Sequence, residues 1–179
     1  ASKNRAITLL AKWMPSENAS NQHTKKLAKR FIKKFKESPR DYRILLSKLR
    51  KHLDIVERKL SSKQVNLINY SKVPSKANLI YRKTFLKHDK ERYEDFIESV
   101  KKGNAKINAT TLYPYDLVHT LWSNTNEDDT VETLWKNLPD YVDDLQGIVV
   151  ADTSGSMLGR PMEACVSLAL YIAERNKNK

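Results

Sequence analysis

The chain has 179 residues, 40% hydrophobic and 30% charged, which suits one domain or one and a half with an ample core and excludes a disordered chain. No apolar stretch approaches the ~18 residues that span a bilayer, Ala1 to Arg5 are too polar for a signal sequence, and a single cysteine permits no internal disulfide. These features are expected of an intracellular protein without a membrane segment.

The net charge of +12 is unevenly spread: residues 1–107 hold 28 Lys and Arg against 10 Asp and Glu, whereas residues 108–179 hold 5 against 11. A basic part joined to an acidic part suggests two modules, the first suited to polyanions. Lysine outnumbers arginine 23 to 10, so contact with a nucleic-acid backbone should outweigh base reading. The alternative is a solvated basic surface with no ligand.

Residues 1–14 carry an apolar pattern, Ile7, Leu9, Leu10 and Trp13, followed by a polar loop from Ser16 to His23. From Thr24, read as an N-cap, Leu27, Phe31 and Phe35 mark one helical stripe with Ala28 and Ile32 beside it. Lys25, Lys26, Lys29, Arg30, Lys33, Lys34 and Lys36 occupy the opposite face. Ser38-Pro39 starts the next helix, with Asp41 in its first turn. Its apolar positions Tyr42, Leu45, Leu46, Leu49, Leu53, Val56 and Leu60 predict one continuous helix to about Ser61.

Residues 63–69 form a short turn and 70–74 a connection. Ser75 is expected to cap a helix with Leu79, Ile80, Phe85 and Leu86 inward. Asp89 is expected to cap another, burying Tyr93, Phe96, Ile97 and Val100 and stopping at Gly103. After a loop at 108–113, Pro114 opens a helix bearing Leu117, Val118, Leu121 and Trp122. An acidic loop at 123–129 leads to a short helix with Val131, Leu134, Trp135 and Leu138. Trp13, Trp122 and Trp135 are expected in the core, since a base-stacking platform would need them exposed in the basic part.

After residue 140 the period changes. Residues 146–151 are expected to form a buried strand and 161–176 a helix burying Met162, Cys165, Val166, Ala169, Leu170, Ile172 and Ala173. The fold is therefore mainly α: a basic helical domain, 1–140, followed by one β–loop–α unit, 141–179. No exact repeat is present, although helix pairs of this length suit a helical-repeat array.

The run Ala151-Asp152-Thr153-Ser154-Gly155-Ser156 places one carboxylate and two hydroxyls at alternate positions after the apolar stretch. Such oxygens are hard ligands, matched to Mg2+ or another hard divalent cation. With Asp152 as the sole charge beside Ser154 and Ser156, a bound ion would be under-neutralised and could accept an acidic side chain from a protein partner. Enzyme readings are weaker. Ser154 stands where an aspartic protease needs glycine, and neither a phosphate-binding loop nor a serine-hydrolase elbow is present. The bland alternative is an acid–serine turn that caps the following helix. His23, His52, His88 and His119 have no ligand spacing, and no acid–base or nucleophile constellation points to an enzyme.

Asp152-Thr153-Ser154-Gly155-Ser156 resembles the first loop of the metal-ion-dependent adhesion site (MIDAS) of von Willebrand A domains. Trp13-Met14-Pro15-Ser16-Glu17-Asn18, Ser38-Pro39-Arg40-Asp41-Tyr42-Arg43, Val56-Glu57-Arg58-Lys59, residues 66–74 and Lys106-Ile107-Asn108 add a wider resemblance. It is to an uncharacterised family joining a helical region to a C-terminal von Willebrand A domain. The architecture is more distantly similar to the Ro autoantigen, whose TROVE helical ring binds RNA.

The resemblance implies a metal held by Asp152, Ser154 and Ser156, and together with the basic face it leads to the expectation of a non-enzymatic protein with RNA bound by Lys25, Lys26, Lys29, Arg30, Lys33 and Lys34. Only 23 residues follow Ser156, and the later metal loops are missing, so the chain is expected to be truncated and to hold metal weakly. An oligomer or a missing segment would then complete the sheet. The competing expectation is an assembly or virion scaffold module with no nucleic-acid ligand.

Overall fold

The computed structural model describes residues 10–122, 128–143 and 147–176, which fall into two units, Ala1–Leu67 and Ile68–Lys179. Ile7 and Leu9, most of the 123–129 loop and residue 146 of the expected strand lie outside the described residues. Regular structure among the described residues is helical, and no helix there is long and apolar enough to cross a membrane.

The first unit contains α1 (Leu10–Trp13), α2 (Gln22–Phe35), α3 (Pro39–His52) and α4 (Val56–Ser61). Ser38 caps α3 as expected, its hydroxyl accepting from the Asp41 amide at 3.1 Å. The cap of α2 is Asn21 rather than Thr24: its side-chain oxygen accepts from the amides of His23 and Thr24. The expected continuous helix breaks between α3 and α4, where Asp54 takes φ +50° and Ile55 is extended. The apolar spacing is unchanged across the break, which is why periodicity hides it. Aspartate tolerates the left-handed region, and here Lys59 holds its carboxylate at 2.8 Å.

The core of this unit is Ala28, Ile32, Tyr42 and Leu46, with Met14 and Phe31 packed against it. The buried Tyr42 hydroxyl donates to the Pro15 carbonyl at 2.9 Å, tying the 13–18 segment to α3. The buried face of α2 thus runs through Ala28 and Ile32, while Leu27 and Phe35 of the expected inner stripe are exposed.

The second unit contains α5 (Ser75–His88), α6 (Lys90–Lys101), α7 (Pro114–Trp122), α8 (Asp129–Lys136) and α9 (Arg160–Arg175). Tyr70, Phe85, Tyr93 and Phe96 form its aromatic centre, with Tyr70 and Tyr93 centroids 4.9 Å apart in an edge-on arrangement. Asp89 precedes α6 but does not cap it with its side chain. Its carboxylate accepts from the Tyr70 hydroxyl at 2.6 Å and pairs with Arg92 at 3.2 Å. Ser75 is likewise the first helical residue rather than a cap. On α5, Leu79 and Phe85 are buried as expected, but Ile80 is exposed and Asn78 and Arg82 lie inside instead. Gly103 does end the α6 region, at φ +77°, a conformation that favours glycine.

Asn108 closes this unit by donating from Nδ2 to the carbonyls of Ser71 at 3.0 Å and Val73 at 2.9 Å. Two segments singled out in the sequence, 66–74 and 106–108, are therefore one contact. Helix α9 packs on α7 and buries Ser167 and Tyr171; Cys165 and Val166 are half-buried and Leu170 is exposed, against the expected inner face. Trp13 and Trp122, expected in the core, are exposed, and Trp135 is half-buried.

Residues 147–151 are not a strand, and Ile148 and Val150 are 94% and 89% exposed. A strand exists only as part of a ladder, and none of the described residues pairs with this stretch. The expected buried β-element is thus neither buried nor paired.

Candidate functional site

Most of the net positive charge lies in the first structural unit. Ala1–Leu67 carries 18 Lys and Arg against 5 Asp and Glu, a net +13, while Ile68–Lys179 carries 15 against 16, a net −1. Within the basic unit, α2 displays Lys26, Lys29, Arg30, Lys33 and Lys34 exposed and Lys25 half-buried. Among the described residues none of these six has an acidic partner within 4.0 Å, so their charge is uncompensated. Such a face attracts polyanions by counterion release rather than by shape.

Helical spacing sets Lys26, Arg30 and Lys34 as a row beside Leu27, Phe31 and Phe35. Phe31 and Phe35 lie 5.7 Å apart, and Phe35 is 47% exposed. Trp13 is 76% exposed, with the Lys12 ammonium 5.6 Å from its ring. Aromatic side chains therefore do reach solvent in the basic unit. The i, i+4 spacing of Leu27, Phe31 and Phe35 carries that signal, but spacing alone does not tell an exposed stripe from a buried one.

The acid–hydroxyl loop lies in the second unit, before α9. The Asp152 carboxylate accepts from the Ser154 amide at 2.9 Å, and the hydroxyls of Ser154 and Ser156 are 3.0 Å apart. Ser156 sits in a tight 3-10 turn, Gly155–Met157, which folds its hydroxyl back toward Ser154. The Ser154 amide and hydroxyl hold the Asp152 carboxyl below the usual carboxylate range. Oxygen ligands at about 2.1 Å around Mg2+ sit about 2.9 Å apart at adjacent octahedral positions, so the spacing and donor type fit a hard cation. All three residues are exposed, and no cluster of three His, Cys, Asp or Glu side chains able to hold a metal occurs among the described residues.

The start of α9 is fixed to α7 beside this loop. Arg160 donates to the Tyr115 hydroxyl at 3.0 Å, and the Glu163 carboxylate is 2.7 Å from Nδ1 of His119. The α2 cations and the acid–hydroxyl loop thus belong to different units.

A predominantly helical chain with one basic unit matches, over residues 21–147, the family described as a domain of unknown function (DUF2828), and the chain belongs to that family. It is similar to Uncharacterized protein L728 of Acanthamoeba polyphaga mimivirus, with 32% identity over 190 residues that cover 94% of this chain and 33% of the relative. The chain therefore spans about a third of that relative's length. No solved structure matches it.

Proposed function

We propose that this is a non-enzymatic binding protein whose first unit contacts RNA through Lys25, Lys26, Lys29, Arg30, Lys33 and Lys34 of α2. The observation that carries this reading is the six-cation face, without acidic partners among the described residues, in a unit of net charge +13. In the same reading the Asp152, Ser154 and Ser156 loop begins a von Willebrand A-type segment that holds Mg2+ and, through it, an acidic side chain of a protein partner. A division near residue 140 into TROVE-like and von Willebrand A-like modules belongs to this proposal as well.

A salt titration of RNA binding tests the first part: log K should fall with log salt by about 0.7 per phosphate contacted. Replacing Lys29, Arg30, Lys33 and Lys34 together by Glu should abolish binding at ~50 mM salt. No binding by the unaltered chain at that salt would end the RNA reading.

A second reading, a protein-assembly or scaffold module without nucleic acid, is favoured by Ile148, Val150 and Leu158, which are 94%, 89% and 77% exposed in the second unit. Concentration-dependent self-association that Ile148→Asp and Val150→Asp abolish would support it.

A further inference from the structure

The first unit contains a cleft of about 360 Å3 that neither surface above uses. Three segments far apart in sequence meet there: Ser16 and Glu17, then Arg43 and Arg50 of α3, then Glu57 and Arg58 of α4. Its volume is in the range of small-ligand sites.

The charge balance inside the cleft is specific. Each carboxylate already has its own cation, Glu17 with Arg43 and Glu57 with Lys12 at 3.1 Å. Arg50 is half-buried, and among the described residues it is held by neutral groups, the Met14 carbonyl at 2.8 Å, the Ser16 hydroxyl at 2.9 Å and the Ala11 carbonyl. Arg58 is exposed on the rim, with no acidic partner among the described residues. Two arginines therefore line the cleft without an acidic partner among the described residues.

We propose that this cleft binds a phosphate monoester of nucleotide size. Arg50 and Arg58 take the phosphoryl oxygens, for which the planar guanidinium fork is suited. The same chemistry is offered by a free nucleoside 5′-monophosphate and by the phosphorylated 5′ end of an RNA. The proposal does not depend on the α2 surface.

The experiment is a calorimetric and NMR titration of the whole chain with inorganic phosphate, a nucleoside 5′-monophosphate and the parent nucleoside. The monophosphate should bind saturably and more tightly than phosphate, which fills less of the cleft, and the nucleoside should bind at least about tenfold more weakly. Arg58→Ala removes an exposed side chain, so its thermal midpoint should match the parent while its affinity falls about tenfold. A 5′-phosphorylated oligonucleotide that outbinds both the free monophosphate and its 5′-hydroxyl counterpart would identify the RNA end as the source. Equal affinity for free and terminal monophosphate would identify the free nucleotide. The fourfold Glu variant of α2 should retain monophosphate binding even where RNA binding is lost. Absence of saturable phosphate or monophosphate binding up to about 10 mM, or an Arg58→Ala variant that binds like the parent, overturns the proposal.

Discussion

Arg82 donates from Nε to the Asp128 carboxylate at 2.6 Å, with only 9% and 11% of the two side chains exposed. The same carboxylate caps α8 by accepting from the Val131 amide at 3.2 Å, so one acid both neutralises a buried cation on α5 and starts a helix. Arg82→Met leaves Asp128 buried without its charge partner, and about 3–5 kcal/mol of stability should be lost. Urea denaturation followed by circular dichroism reads this. Lys90→Met, which breaks an exposed pair with Glu94 on α6, should leave the midpoint unmoved.

The cap of α2 separates two adjacent candidates. Asn21→Ala removes the oxygen that satisfies two amides and should cost about 1 kcal/mol of first-unit stability. Thr24→Ala lies inside the helix and should be near neutral. The reverse order in a thermal melt would return the cap to Thr24.

Alkaline pH should act on the second unit. Burial pushes the Tyr93 hydroxyl up to about 12, and burial followed by the Asp89 hydrogen bond pushes Tyr70 up as well. The folded state thus holds phenol protons that the unfolded chain releases near pH ~10. Their stabilisation is complete below that pH and is lost as pH rises toward 12 for Tyr93. Helical dichroism should collapse over this interval, together with tyrosinate absorbance, and Tyr93→Phe should make the dependence shallower.

The acid–hydroxyl loop predicts a localised response to metal. Magnesium titration should shift the amides of residues 152–157, and Asp152→Asn should remove the response. Because Ser154 holds the Asp152 carboxyl below the usual carboxylate range, that carboxyl stays ionised as pH falls to about 4. The metal response should therefore persist over that range and be lost only at still lower pH. Unmoved loop amides at ~50 mM Mg2+, far above the working range of such sites, would leave only the turn.

Local physics made much of this chain legible from sequence alone. The Ser38-Pro39 start, the stop at Gly103, the Pro114 opening and the basic face of α2 depend on neighbouring residues within a turn or two, and the structure repeats them. The alternation that brings Ser154 and Ser156 within 3.0 Å is local in the same sense.

What failed to show in the sequence required a partner distant in the chain. Leu27, Phe35 and Ile80 have the spacing of core residues, but burial requires an opposing surface, and packing gave those places to Ala28, Ile32, Asn78 and Arg82. Residues 147–151 have the composition of a buried strand and no ladder partner among the described residues. The arginine cleft, built from residues 16 to 58, has no signature within any one segment. Helix positions and net charge were written locally, whereas burial, strand pairing and the meeting of Arg50, Arg58 and Glu57 were decided by packing, because each depends on groups the chain brings together only when folded.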